Sequence, residues 1–236
     1  MIHWILAKVK GPAYRLDPRL PSSALVEVLF RRLVWALRGV WKRLPRATAF
    51  RSVVFVGADV TLRNQGLIRI GSWSTLAKGV LIDGLSSHGV TIGRRVNIGP
   101  YTQIEATGVI TNLGIGFEIG DNSGIGAFSY VGAAGGVKVG ANVIMGQRVS
   151  FHSEDHVFSD LDVPIRAQGV VRKGIVVADD CWIGANVTFL DGCTVGRGCV
   201  IGAGSVVRGD IPAYSIAVGI PAKVVRSRRP QQVAAA

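Results

Sequence analysis

The sequence has little of what marks secreted, membrane-spanning or disulfide-stapled proteins. Only three cysteines occur in 236 residues, and none forms a CxxC pair. No disulfide framework is predicted, and a reducing compartment, the cytoplasm, is the expected location. No stretch of about eighteen residues is apolar and uncharged, and no small-residue cleavage site follows the opening MIHWILAKVK. The sequence therefore predicts neither export nor a membrane span.

Acidic residues are scarce at both ends of the chain. The formal net charge is +12; residues 1–51 hold eleven Lys and Arg against two acids, whereas residues 52–222 hold twelve against thirteen. A nucleic-acid binder usually spreads basic residues over a working face, with aromatic residues among them, and this pattern is missing. We expect no nucleic-acid partner. We predict a basic segment over 1–51, a neutral domain over 52–225 and a basic, flexible tail over 226–236.

Residues 22–44 have the periodicity of an amphipathic helix. Basic residues occupy one side, and the other side is apolar: Val26, Leu29, Phe30, Leu33, Leu37, Val40, Trp41 and Leu44. Two interpretations stay open. The apolar side packs on the following domain or a neighbouring subunit, or it lies in the interface of an anionic membrane. The second would place the protein peripherally on the inner membrane face.

An aliphatic or aromatic residue recurs every six positions over most of the chain. Such a repeat buries its apolar side only by stacking on its neighbours. Each hexad provides one short strand and a turn, so three hexads close one coil and the coils stack at about 4.8 Å. We predict a parallel β-helix of about seven coils, with these residues inside: Val56, Leu62, Ile70, Leu76, Ile82, Ile92, Ile98, Ile104, Ile119, Ile125, Val131, Val139, Met145, Phe151, Val177, Ile183, Phe189, Val195, Ile201 and Val207.

Small residues surround the repeated one. A glycine often follows it, as expected where a side chain would crowd the corner or φ is positive. The fifth position of the hexad is small and includes all three cysteines, Cys181, Cys193 and Cys199. Buried free cysteines behave as compact apolar residues, so we interpret these three as core residues and not as nucleophiles or metal ligands.

The run WIGANVTFLDGCTVGRGCVIGAGSVV and the closing IPAYSIAVGIPAKVV resemble the hexapeptide-repeat acyltransferases. The similarity is strongest to their sugar O-acetyltransferase branch, which includes maltose, galactoside and exopolysaccharide acetyltransferases. This resemblance implies an all-β, left-handed parallel β-helix and a homotrimer with active sites between subunits. It also implies transfer of acetyl from acetyl-CoA to a sugar hydroxyl in polysaccharide or glycolipid biosynthesis. Transfer to the nitrogen of an amino sugar stays open.

The hexads stop between Phe151 and Val177 and then resume in phase. Long loops on rigid scaffolds tend to carry function. This one begins with two histidines, His152 and His156, separated by acids. Imidazole is suited to removing a hydroxyl proton near neutral pH, so the interruption is the predicted catalytic site.

The resemblance distinguishes between the two histidines. The sugar acetyltransferases carry a frame H-x-[FY]-x-D…P-I…Q-G in this loop, which implies that His156 is the general base. His152 is the alternative base, or a neighbour that orients the acceptor. Three carboxylates are candidates to orient the imidazole, and the sequence does not choose among them: Glu154, Asp155 and Asp160.

The family resemblance also implies where coenzyme A, the acetyl donor, would bind. Family members lay coenzyme A along the seam between neighbouring β-helices, against backbone of the last coils and basic residues near the C-terminus. Arg208-Gly209 stands where many relatives have Thr-Lys, so a hydroxyl contact is missing. No metal is implied. The matching positions are Trp182, Ala185, Ala203, Arg208, Gly209, Lys223 and Arg226.

Two other functions are compatible with the same repeat. A zinc enzyme similar to the γ-carbonic anhydrases would use His88, His152 and His156, but the last two are four residues apart where that family has five. A membrane-associated scaffold that has lost catalysis is the non-enzymatic alternative.

Overall fold

The computed structural model describes residues 16–17, 19–43 and 53–229. Leu44 of the predicted helix, and the outer parts of the predicted segments 1–51 and 226–236, lie outside the described residues. The helix α1 covers Ser22–Arg43, and 25 strands follow, numbered β1 to β25 along the chain.

The hexads build three parallel sheets, which are the three faces of a β-helix. Face A contains β1 (Phe55–Val56), β4 (Thr75–Leu76), β7 (Asn97–Ile98), β10 (Gly124–Ile125), β13 (Ile144–Met145), β18 (Trp182–Ile183), β21 (Val200–Ile201), β24 (Ser215–Val218) and β25 (Lys223–Ser227). Face B contains β2 (Thr61–Arg63), β5 (Leu81–Asp83), β8 (Gln103–Glu105), β11 (Tyr130–Gly132), β14 (Ser150–His152), β19 (Thr188–Leu190) and β22 (Val206–Val207). Face C contains β3 (Ile68–Ile70), β6 (Val90–Ile92), β9 (Phe117–Ile119), β12 (Val137–Val139), β17 (Ile175–Val177), β20 (Thr194–Val195) and β23 (Asp210–Ile211).

Seven coils are present, as predicted, and each contributes one strand to each face; β24 and the antiparallel β25 are added to face A after the seventh coil. The strands pair in register, so equivalent hexad positions stand directly above one another; Phe151 lies between Val131 and Phe189, for example. The predicted inward residues form the continuous core, and only Leu62 and Ile70 in the first coil are partly exposed. The hexad period therefore predicted both the fold and its register.

The three cysteines lie in this core and are free, as predicted. Burial, which penalises the charged thiolate, raises the pKa of Cys181 to about 11 and that of Cys193 to about 12. Neither thiol is a nucleophile at neutral pH.

The glycines after the inward residues are explained by crowding. A Cβ on Gly184 would lie 2.5 Å from the backbone nitrogen of Ala203 in the next coil. Positive φ falls two residues later in the turn, on Asn186 (58°) for this hexad. Of the two predicted reasons for glycine at this position, the close approach of stacked backbones is the one that applies.

The helix α1 packs on the first coil, but not with its predicted apolar side. Arg32 donates to Thr75 Oγ1 over 2.9 Å and lies 4.8 Å from the ring centroid of Phe55. Gly39 is buried against the Val54 carbonyl. Of the alternatives considered for the apolar side, packing on the following domain does not apply, because the helix approaches the first coil where Gly39 has no side chain and the apolar side is largely exposed.

The last strands close the far end of the β-helix. β24 and β25 pair antiparallel, so β25 spans the predicted boundary at residue 225. Arg228 donates to the Gly198 carbonyl, and the Arg229 guanidinium lies 4.6 Å from the ring centroid of Tyr214. The residues that follow β25 therefore still pack on the coils.

Candidate active site

The interruption of the hexads is an excursion from the corner between faces B and C, which we call corner BC. The chain leaves after β14, forms the antiparallel hairpin of β15 (Asp155–His156) and β16 (Val170–Val171), and returns into β17. His156 pairs with Val170 in this hairpin, and its side chain is exposed. The excursion thus holds the predicted base on a short, paired element outside the coils.

The tip of the excursion is closed by the Gln168 side chain. Its Nε2 donates to the carbonyls of Asp160 (2.7 Å) and Val163 (2.6 Å), and its Oε1 accepts from the Asp160 backbone nitrogen (3.1 Å). Asp160 Oδ1 accepts from the backbone nitrogen of Asp162 at 3.0 Å. Several residues of the family frame therefore shape the loop that carries His156.

The root of the excursion is anchored by Arg172. Its guanidinium bonds Glu154 Oε2 at 2.7 Å, Asn112 Oδ1 at 3.0 Å and the Leu113 carbonyl at 3.0 Å. The side chains of Arg172 and Glu154 are only 14% and 27% exposed. Between β16 and β17, the backbone nitrogens of Lys173 and Gly174 donate to the Asp191 carboxylate. Arg172 thus ties the excursion to the loop that precedes β9.

A small cavity of about 160 Å³ lies on face B at the base of the excursion. Tyr130 crosses it: the phenol donates to Glu105 Oε2 over 3.2 Å, and its ring centroid lies 5.8 Å from that of His152. We call this space the Tyr130 cavity. Its lining includes Glu105, Tyr130, Gly132, His152 and Glu154. The cavity is therefore polar and is bordered by carboxylate, phenol and imidazole groups.

Tyr130 remains a hydrogen-bond donor at neutral pH. Burial is the main cause that raises the pKa of its phenol above the ordinary value, and the nearby Glu105 carboxylate raises it further. The sequence analysis missed Tyr130, Glu105 and Arg172. Glu105 could have been found from the hexad register, which places it in the same outward column as Gly132 and His152.

The structure separates the two histidines that are close in sequence. His152 lies on face B and lines the Tyr130 cavity, whereas His156 lies on the hairpin. Two of the three candidate carboxylates make contacts elsewhere: Glu154 pairs with Arg172, and Asp160 caps its own turn. Asp155 is exposed beside His156.

A larger groove of about 630 Å³ runs beside corner BC on face C. Its lining includes a column of glycines with positive φ, among them Gly116, Gly136 and Gly174, and charged side chains such as Arg69, Lys138 and Lys173. His88 borders this groove and not the Tyr130 cavity, so the three histidines of the zinc alternative are dispersed. Within the described residues, no group of three or more His, Cys, Asp or Glu is arranged to hold a metal ion.

The seven predicted donor residues fall into two groups. Five lie on face A or at the adjoining corner AB in the last coils: Trp182, Ala185, Ala203, Lys223 and Arg226. Arg208 and Gly209 lie at corner BC, in the last coil. The first group is thus separated from His156 by the whole width of face B within one chain.

Comparison with known proteins supports the assignment of the repeat. The profile described as "Bacterial transferase hexapeptide (six repeats)" matches residues 174–209. The chain is also similar to "Probable acetyltransferase Rv3034c" of Mycobacterium tuberculosis, with 38% identity over 220 residues that cover 90% of this chain and 66% of that protein. Residues 174–209 therefore carry the repeat of the bacterial hexapeptide transferases. The β-helix is of the left-handed type that characterises these transferases.

Two further similarities bear on the branch of the family. "Putative lipopolysaccharide biosynthesis O-acetyl transferase WbbJ" of Escherichia coli is 28% identical over 113 residues, 45% of this chain and 58% of that protein. A crystal structure of a maltose O-acetyltransferase from Clostridium difficile superposes with a TM-score of 0.52 at 25% identity, over 59% of this chain and 70% of that one. The chain spans just under two thirds of the length of the first relative.

Proposed function

We propose that this protein is an acyltransferase that transfers acetyl from acetyl-CoA to a hydroxyl of a sugar, in the synthesis of a polysaccharide or glycolipid. The observation that carries the proposal is the excursion at corner BC, which holds His156 on an exposed hairpin and whose first residues, Ser153 and Glu154, line a polar cavity. The names of the relatives, a lipopolysaccharide and a maltose O-acetyltransferase, support a sugar hydroxyl as the acceptor.

In the proposed reaction His156 acts as the general base. Its imidazole removes the proton of the acceptor hydroxyl while the oxygen attacks the thioester carbon. The tetrahedral intermediate then collapses, the carbon–sulfur bond breaks, and the thiolate receives the proton from the imidazolium. The acetylated sugar and coenzyme A then leave, and the imidazole is neutral again.

The Tyr130 cavity is the proposed acceptor subsite. The protonated phenol of Tyr130, the Glu105 carboxylate and the exposed ring of His152 line one wall. Sugar hydroxyls both donate and accept, so such a mixed set of groups suits them. His152 contacts the acceptor in this proposal, and His156 removes the proton.

The corner AB region suits the donor. Coenzyme A combines a thin pantetheine arm with phosphates, so it needs uncrowded backbone and cations. Ala185 and Ala203 are small residues at this corner in successive coils, and the exposed Lys223 and Arg226 lie on β25 of face A. When bound, acetyl-CoA supplies the activated acetyl group; Trp182, exposed on face A, would lie beside it.

A complete site in this proposal requires two copies of the chain. Corner AB and the excursion lie on different edges of one β-helix, so the donor region of one copy meets His156 of another. This supports the homotrimer implied by the family resemblance, because a closed ring repeats such a heterologous contact.

The test is release of coenzyme A thiol from acetyl-CoA in the presence of a panel of sugars and nucleotide sugars, followed by mass spectrometry of the acceptor. We expect turnover with at least one acceptor and the mass of one added acetyl group. Absence of both turnover and acetyl-CoA binding over the panel would favour the catalytically inactive scaffold.

A further inference from the structure

The helix α1 presents three different sides, and one of them is apolar and uncovered. Arg32 and Gly39 face the first coil. The predicted stripe points away from it and is largely exposed, at Val26 (65%), Phe30 (67%), Leu33 (58%), Leu37 (63%) and Trp41 (75%). These five residues, the α1 stripe, span four turns of helix within a sector of about 80°.

Cations border the α1 stripe. Arg31 and Arg38 lie roughly 60–80° beyond its edge at 100° per residue, and both are exposed. Arg31 is 3.6 Å from Glu27, whereas residues 1–51 as a whole hold eleven basic residues and two acids. The helix therefore has an apolar side, a basic border and a docked side.

The charge decides between the possible occupants of this stripe. A second copy of the chain would bring two strongly basic segments together, and like charges repel. An anionic bilayer surface attracts such a segment and accepts aromatic and aliphatic side chains among its acyl chains. None of the helices in the described part of the chain is long and apolar enough to cross a membrane.

We propose that the α1 stripe lies in the interface of an anionic membrane, with the helix axis parallel to the surface and the β-helix on the water side. The docked side of α1 fixes this orientation, because Arg32 and Gly39 hold the opposite side of the helix on the first coil. The proposal is independent of the acetyl transfer reaction and of the identity of the acceptor.

Co-sedimentation of the full chain with vesicles tests the proposal. We expect binding to vesicles of phosphatidylcholine mixed with phosphatidylglycerol, weak binding to phosphatidylcholine alone, and loss of binding as salt is raised. Leu37→Glu should abolish binding, because it places a charge in the centre of the stripe. Arg38→Ser should weaken it roughly fivefold, the effect of about one cation near an anionic surface.

The matched control is Ile110→Glu, which changes another exposed apolar residue (81%, against 63% for Leu37) in the loop between β8 and β9. It should bind as the unchanged protein does. Circular dichroism and coenzyme A release with a soluble acceptor should be the same for Leu37→Glu and the unchanged protein. The proposal is overturned if the protein ignores anionic vesicles, if Leu37→Glu still binds, or if Leu37→Glu changes the oligomeric mass in analytical ultracentrifugation and not vesicle binding.

Discussion

At the residue scale, Gly132 decides where Tyr130 lies. A Cβ at position 132 would be 3.0 Å from Cε1 of Tyr130 and 3.2 Å from its hydroxyl oxygen. Without that side chain, the phenol extends over the neighbouring strand toward Glu105 and stands beside His152. The absence of a side chain at Gly132 thus lets Tyr130 form the polar wall of the Tyr130 cavity.

The cysteines give a prediction about reactivity. At pH 8 the folded protein should react slowly with a thiol reagent such as Ellman's reagent, because burial keeps Cys181 and Cys193 protonated, with pKa values of about 11 and 12. In guanidinium chloride all three thiols should react rapidly. Rapid reaction of the folded protein would contradict their placement in the core.

The same shifts set a direction for stability against pH. An unfolded thiol has a pKa of about 8.5, so below that pH the folded and unfolded states bind the same protons at Cys181 and Cys193. As the pH rises from there toward about 11 and 12, the unfolded thiols ionise while the folded ones do not. The contribution of these two groups to the free energy of unfolding therefore falls over that range.

At the scale of elements, the excursion depends on Arg172. Arg172→Met keeps the length of the side chain but leaves the Glu154 carboxylate without its partner and frees the loop at Asn112. We expect the free energy of unfolding to fall by about 2 kcal/mol, as for other lost hydrogen bonds to a charged group. Amide hydrogen exchange should accelerate in residues 106–113 and 153–174.

Arg166→Met is the control, because Arg166 is exposed in the same excursion. It should leave both the free energy of unfolding and the exchange rates unchanged. Equal exchange in the two variants would show that Arg172 does not hold the loops together.

Elements differ in how far the sequence predicts them. The hexad strands follow from a period that each coil repeats, so the inward residues and the register could be read directly. The side on which α1 docks could not be predicted, because a charged residue and a glycine make the contact. Hydrophobic periodicity does not identify Arg32 or Gly39 as packing residues. Tyr130 and Arg172 were missed for a related reason. Neither occupies a repeated apolar position, and their hydrogen-bond partners are distant in sequence.

At the scale of the whole molecule, the proposed sharing of a site between copies predicts complementation. His156→Ala removes the base, and Ala203→Trp fills corner AB, so each variant alone should be inactive. Co-expressed in equal amounts, they should regain about one quarter of the unchanged activity, because a site works only when each chain provides its intact half.

Ala213→Trp is the matched control, since Ala213 is an exposed alanine at the third corner, between β23 and β24. It should remain active. A co-expressed mixture no more active than its two components would place base and donor in the same chain, and an active Ala203→Trp would contradict the donor position.

The most direct test of the account is the rate of coenzyme A release for His156→Ala and His152→Ala with one accepted sugar. As the base, His156 should account for a loss of about 10²- to 10⁴-fold in kcat on substitution, whereas His152→Ala should retain substantial activity and mainly raise KM. Equal losses in kcat for the two variants, or normal turnover by His156→Ala, would contradict the assignment of His156 as the base.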